Sequence, residues 1–344
     1  MSKIAIIGPY PPPFGGVSIH IKRLSELFKE NNINYEIIDD SNICNSGIEN
    51  YKNKNYKKLI LDLIFNKKEY DILHFNSRNW KFIFFICFMN KIKSYKIILT
   101  LHSFREDVKK RNIKSILIMY VLKRVNSIIA VSEEIKEKLL DLEIDENKII
   151  VLPAFIPPIL EPEKIKNIKK KYFDVSKYTI IANASKIEFY NNEDLYGLDM
   201  CINMANILKR DNYEFQFIFI LSEINDVDYY EKNISLIKQN NLEDIFKIVI
   251  SKEEFSYFLD SADMFIRPTN TDGDSVSIRE SLYLGKTTIA SDVVNRPLGV
   301  YTFENRNIDS LIDVVKEQIL HKNYNLRVNN NEYKRILEVF SQYF

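Results

Sequence analysis

Apolar residues along this chain come in short blocks separated by longer amphipathic stretches, and the alternation runs twice. The first pass opens with Lys3–Gly8 (KIAIIG), a run without a polar face, as expected of a strand buried on both sides. Val17–Asn31 then repeats apolar residues at helical spacing. Further strands are predicted at Tyr35–Asp39, Asp71–Asn76, Lys96–His102, Ser127–Val131 and Lys148–Leu152, with helical stretches between most of them. In the second pass the strands are Thr179–Ala182, Phe215–Leu221, Phe246–Ile250, Met264–Pro268 and Thr287–Ser291. Its helices fall near Leu198–Arg210, Asp228–Asn240, Glu253–Ser261, Ser275–Leu284 and Ile308–His321. Two successive runs of alternating strand and helix predict an α/β protein with two doubly wound parallel sheets. The last stretch, Asn329–Phe344, sets Tyr333, Ile336, Leu337, Phe340 and Phe344 at helical spacing, an apolar stripe that needs a partner surface.

Proline marks the joints. Pro9, Pro11, Pro12 and Pro13 crowd the loop after the first strand. Pro153, Pro157, Pro158 and Pro162 fall in PAFIPPILEP, the best linker candidate, because proline stops both helix and strand. The expected division is a first domain over 1–155, a second over 156–325 and a terminal helix over 326–344.

Composition narrows the classes. A formal net charge of +1 gives no argument for nucleic acid. Three scattered cysteines (Cys44, Cys87, Cys201) without CxxC spacing suit a reducing cytosol, and neither a zinc site nor a signal peptide is expected. The longest apolar run, Phe82–Met89, is too short to span a bilayer. Charge is uneven, however. Between Tyr51 and Arg124 stand eighteen lysines and arginines against five acids, around Trp80 and KFIFFICFMNKIK. That block suits an anionic membrane surface, and equally a helix buried on the sheet with lysines on its solvent side.

Candidate chemistry concentrates in Ala262–Pro297, which reads strand, loop, helix, strand. The loop-to-helix junction aims the backbone N–H groups of Ser275, Val276 and Ser277 outward, a seat for phosphate. Glu280 lies one turn on, about 6 Å along the axis, roughly the step from a nucleotide's phosphates to its ribose. Asp272 stands on the other side, where a sugar on the diphosphate would lie. Asp272–Asp274 (DGD) also spells DxD, but the polar or proline residues Pro268, Thr269, Asn270 and Thr271 come before it and a metal reading is not preferred. In the first half, Gly15 and Gly16 open a helix after strand one and allow close backbone approach. GxGxxG is absent, so a nicotinamide site is not expected. His102, in TLHSF, ends a buried strand where open α/β sheets bind ligands; a structural histidine is the ordinary alternative. Lys186 could reach a diphosphate, or be a solvated loop lysine.

PYPPPFGGVSIHI, TLHSF and above all DMFIRPTNTDGDSVSIRESLYLGKTTIASD together resemble the retaining GT-B glycosyltransferases of family 4, across essentially the whole chain. The resemblance implies two Rossmann-like domains facing across a cleft, with the C-terminal helix crossing back to the first. It also implies transfer from a nucleotide-sugar (UDP- or GDP-sugar) to a lipid-linked glycan acceptor in surface-polysaccharide (capsule, O-antigen) assembly. No cofactor or metal is implied, and the protein would work in the cytoplasm or against the inner face of the membrane. By resemblance Glu280 binds ribose, and the amides of Ser275 and Val276 hold the diphosphate. Asp272 would take sugar hydroxyls, Gly16 approach the diphosphate and His102 line the sugar pocket. The expected donor-binding set is therefore Gly15, Gly16, Lys186, Asp274, Ser275, Val276 and Glu280, with Asp272 and His102 as the catalytic pair. Two departures stand out. Asp272 is one methylene shorter than the usual glutamate. The usual Arg/Lys pair is incomplete, with Ser185 where arginine is expected and Tyr196 near the lysine position. A non-catalytic GT-B subunit that stabilises a partner transferase is the alternative, and a sugar-nucleotide epimerase a more distant one.

Overall fold

The computed structural model describes residues 3–12, 14–41, 48–53, 56–65, 69–77, 79–106, 108, 112–321 and 331–344. Pro13, Cys44 and the start of the stretch 326–344 lie outside them. The chain divides into unit 1, Met1–Ile156 with Asn331–Phe344, and unit 2, Pro157–Asn330.

Unit 1 runs β1 (Ile4–Gly8), α1 (Gly16–Glu30), β2 (Tyr35–Asp39), β3 (Tyr51–Asn53), α2 (Tyr56–Phe65), β4 (Ile72–Phe75), α3 (Trp80–Lys93), β5 (Lys96–Leu101), α4 (Ile113–Arg124), β6 (Ser127–Ala130), α5 (Glu133–Leu140) and β7 (Ile149–Val151). Its sheet is parallel throughout, in the order β3-β2-β1-β4-β5-β6-β7. Parallel strands need helical crossovers, which cover both faces, so β1, β2, β4 and β6 are buried along their whole length. Chain order reverses between β1 and β4, the crevice where such sheets bind ligands.

Unit 2 runs α6 (Pro162–Tyr172), β8 (Tyr178–Ala184), β9 (Phe189–Tyr190), β10 (Glu193–Asp194), α7 (Leu198–Arg210), β11 (Phe215–Leu221), α8 (Val227–Gln239), β12 (Phe246–Ile250), α9 (Phe255–Ser261), β13 (Met264–Arg267), α10 (Val276–Tyr283), β14 (Thr287–Ser291), β15 (Val300–Phe303) and α11 (Ile308–His321). Its sheet is again parallel, β12-β11-β8-β13-β14-β15, and reverses between β8 and β13. Both sheets are Rossmann-like. The hairpin β9–β10, whose turn places Asn191 and Asn192 at positive φ, and the edge strands β3 and β15 are too short for hydrophobic periodicity to reveal.

The terminal helix α12 (Arg335–Ser341) follows one turn of 3-10 helix and belongs to unit 1. Its apolar stripe is covered in part: Ile336, Val339 and Phe340 are buried in the unit 1 core, the Phe340 ring 5.0 Å from Phe28 and 5.1 Å from His74, while Phe344 is exposed. Around KFIFFICFMNKIK the structure favours the core reading for most of the run. Phe82, Ile83, Ile86 and Cys87 are buried, and α3 packs on α4 through Phe84 and Tyr120. Apolar exposure in this block lies instead at Leu61 on α2, at Phe88, and at Ile113 and Ile116 on α4.

Candidate functional site

In unit 2, β13 and α10 bring Asp272, Asp274, Ser275, Val276 and Glu280 together. Ser275 stands at the helix start in extended conformation, and no side chain caps the first amides, so the N–H groups of the first turn carry the positive end of the helix dipole. Small residues fix the helix on the sheet: buried Ser281 accepts from the Thr288 hydroxyl of β14 at 2.7 Å. Glu280 is buried in the helix one turn beyond Val276. Asp274 holds Arg279 Nε at 2.5 Å.

Asp272 is differently placed from a group awaiting sugar hydroxyls. Its Oδ1 accepts from Arg267 Nη2 (3.3 Å) and the Gly273 N–H (3.0 Å). Its Oδ2 accepts from Arg296 Nη1 (2.9 Å), Arg267 Nε (3.3 Å) and the Thr269 hydroxyl (3.2 Å). A carboxylate offers about four lone-pair sites, so five donors from its own chain fill it. Its side chain is 9 % exposed. Burial works against its charge, but Arg267 and Arg296 outweigh burial and hold the carboxyl below the usual range. Arg296 was not anticipated. Its sequence signal is only Asn-Arg-Pro after β14, yet it also donates to the Ser291 carbonyl (2.8 Å) and hydroxyl (3.2 Å).

Lys186 has its own carboxylate partner. It follows β8, on the other side of the chain reversal, and pairs with Glu188 at 3.0 Å; that hydrogen bond raises its pKa. Tyr196 has its amide fixed by Asp194, which also accepts from the N–H groups of Gly197 and Leu198 at the start of α7. The Arg267 guanidinium lies 5.2 Å from the centre of the Tyr196 ring. Gly197 has φ +69°, and a Cβ there would lie 2.6 Å from the Pro268 carbonyl, so glycine is required to bring α7 against the end of β13.

In unit 1, Gly15 caps α1 with extended backbone, and a Cβ there would meet nothing within 4 Å. Nothing inside the unit therefore requires glycine at that point. His102 follows β5 and its Nε2 donates to Asn76 Oδ1 at 3.1 Å, while the His20 ring of α1 stands 5.0 Å away, edge to face. His74 completes the group, 2.8 Å from the Thr100 hydroxyl. Burial lowers His74 to about 3 and His20 to about 4, so both are neutral at pH 7. His102 and Asn76 line a cavity of about 910 Å³ with Asp40, Tyr56, Trp80 and Lys114. Burial raises the Asp40 carboxyl despite a 2.5 Å bond from the Tyr56 hydroxyl. Asn76 escaped the sequence reading because nothing in the pattern distinguishes one polar strand-end residue from another. The mixture of hydroxyl acceptors, an aromatic ring and a lysine suits a polyhydroxylated ligand. Among the described residues no group of three or more His, Cys, Asp or Glu is placed to hold a metal, and no helix is long and apolar enough to cross a membrane.

Comparison with known proteins bears on the fold. Residues 14–158, less than half of the chain and nearly all of unit 1, match the model of Glycosyltransferase Family 4. No curated protein sequence matches the chain. Solved structures do. The Anabaena protein Alr3699/HepE in complex with UDP-glucose superposes with a TM-score of 0.75 at 12% identity, over 99% of this chain and 100% of that one. A glycosyltransferase from Rickettsia africae ESF-5 gives 0.70 at 18% identity, over 99% and 98%. The lipopolysaccharide outer core galactosyltransferase WaaB, in its apo form, gives 0.61 at 15% identity, over 99% of each. The fold is that of the GT-B glycosyltransferases, two Rossmann-like units in one chain.

Proposed function

We propose that this protein is a retaining glycosyltransferase that moves a sugar from a nucleotide-sugar to a lipid-linked glycan in surface-polysaccharide assembly. The single observation that carries the reading is the α10 junction. Uncapped helix amides, buried guanidiniums and, one helical turn on, buried Glu280 offer partners for a nucleotide's diphosphate and ribose. The family match of residues 14–158 and the UDP-glucose held by a protein of the same fold support it.

On this reading the bond from the sugar's C1 to the diphosphate oxygen breaks, and its electron pair leaves with the diphosphate. Fixed helix amides and guanidinium charge stabilise that developing negative charge without a metal ion. The acceptor hydroxyl attacks C1 on the face the diphosphate leaves, and its proton passes to the departing phosphate oxygen. The unit 1 cavity takes the acceptor's hydroxyls through Asp40, Asn76 and His102. Ile113 and Ile116, 79% and 63% exposed beside Lys114, give the acceptor's lipid and an anionic membrane surface an apolar and basic approach.

The test is turnover of UDP-, GDP- and ADP-sugars by the unsubstituted protein and by Glu280→Ala. Loss of one hydrogen-bonded carboxylate to ribose predicts at least a tenfold fall in donor affinity; equal turnover by both proteins removes Glu280 from the site. The saturated state of Asp272 and the pairing of Lys186 favour one alternative, a non-catalytic GT-B subunit. Such a subunit binds no nucleotide in calorimetry.

A further inference from the structure

The carboxyl ends of β13 and β14 and the start of α10 gather three guanidiniums around the carboxylates of Asp272 and Asp274. Arg267 and Arg296 share the single carboxylate of Asp272, while Arg279 pairs with Asp274. The side chains of Arg267 and Arg296 are only 13% and 3% exposed, so their charges act where water screens poorly.

The two arginines on Asp272 are not equivalent. Each nitrogen of Arg296 has a partner: Nε and Nη2 on Ser291, Nη1 on Asp272. Arg267 gives Nε and Nη2 to Asp272 in a fork whose plane is further fixed by the Tyr196 ring. Its Nη1 donates to nothing among the described residues. Three residues beyond Asp272, the chain enters the uncapped start of α10.

We infer that Arg267 is a catalytic residue whose Nη1 donates to an oxygen of the donor's diphosphate, supplying positive charge from the end of β13 beside the start of α10. The inference rests on the reading of the protein as a nucleotide-sugar transferase. It makes Asp272 the anchor of that guanidinium rather than a partner of sugar hydroxyls. It also gives Tyr196 a purpose, because an aromatic face holds a planar guanidinium in one orientation without using up its N–H groups.

Calorimetry on the full chain with UDP, GDP and ADP, each beside its nucleoside, tests this, with inorganic pyrophosphate as a base-free probe. For the nucleotide that the unsubstituted protein binds, Arg267→Ala should weaken binding about 10- to 100-fold, as for loss of one charge-assisted hydrogen bond, and leave the nucleoside unchanged. Arg267→Lys should recover part of the loss by restoring charge without the fork. Arg267→Gln, nearly isosteric, carries the comparison if the alanine variant does not fold. Undiminished diphosphate affinity in the alanine or glutamine variant overturns the inference, as does an equal loss for diphosphate and nucleoside. Absence of all nucleotide binding in the unsubstituted protein is a separate result. It refutes the transferase reading, and the inference falls with it before any substitution is considered.

Discussion

Two buried histidines should make unit 1 sensitive to mild acid. His20 and His74 have ordinary values near 6.5, but burial lowers them to about 4 and about 3, with Arg23 opposing a charge on His20. Between those folded values and 6.5 the unfolded chain binds protons that the fold refuses. Stability is therefore full above about pH 7 and falls as pH drops through that window. At pH 5 each histidine lies about 1.5 pH units below its unfolded value. At about 1.36 kcal/mol per unit the cost is about 2 kcal/mol each and about 4 kcal/mol for both. Against a typical domain stability of roughly 5–15 kcal/mol, that is a large share. Urea unfolding at pH 7, 6 and 5 measures it, followed by the fluorescence of Trp80, the sole tryptophan and a unit 1 residue. With an m-value of about 2 kcal/mol/M, the midpoint should drop by about 2 M between pH 7 and 5. A His20→Gln, His74→Gln double variant should show a much smaller drop, whatever its absolute stability. A midpoint that does not move, or that moves equally in both proteins, refutes the argument.

Three further outcomes are expected. Gly197→Ala must place a Cβ at positive φ and 2.6 Å from the Pro268 carbonyl, so unit 2 should lose at least about 2 kcal/mol in chemical unfolding followed by circular dichroism; an unchanged midpoint means the contact relaxes freely. Phe340→Ala empties the seat between Phe28 and His74 and should cost unit 1 about 3–5 kcal/mol by Trp80 fluorescence. A loss under about 1 kcal/mol would show that α12 is peripheral to the core. Ile113→Asp with Ile116→Asp should abolish co-sedimentation with phosphatidylserine vesicles while leaving nucleotide binding intact, and undiminished sedimentation removes α4 from the membrane approach.

The sequence by itself determined the two alternating runs and hence two parallel sheets, because strands buried on both faces read as nearly continuous apolar blocks such as IAIIG and FQFIFIL, the second broken only by Gln216. It also marked the β13–α10 junction, since a polar loop between a strand and a helix is a local pattern. Tertiary structure decided the electrostatics of that junction. Arg296 lies 24 residues from Asp272, on the loop after a different strand, and only the pairing of β13 with β14 brings their side chains to 2.9 Å. The same holds for Arg267 over Tyr196, and for His20, His74 and His102, drawn together from α1, β4 and the end of β5. Periodicity reports which face of an element is buried. Which charge answers which depends on contacts between strands that are neighbours in the sheet and distant in the chain.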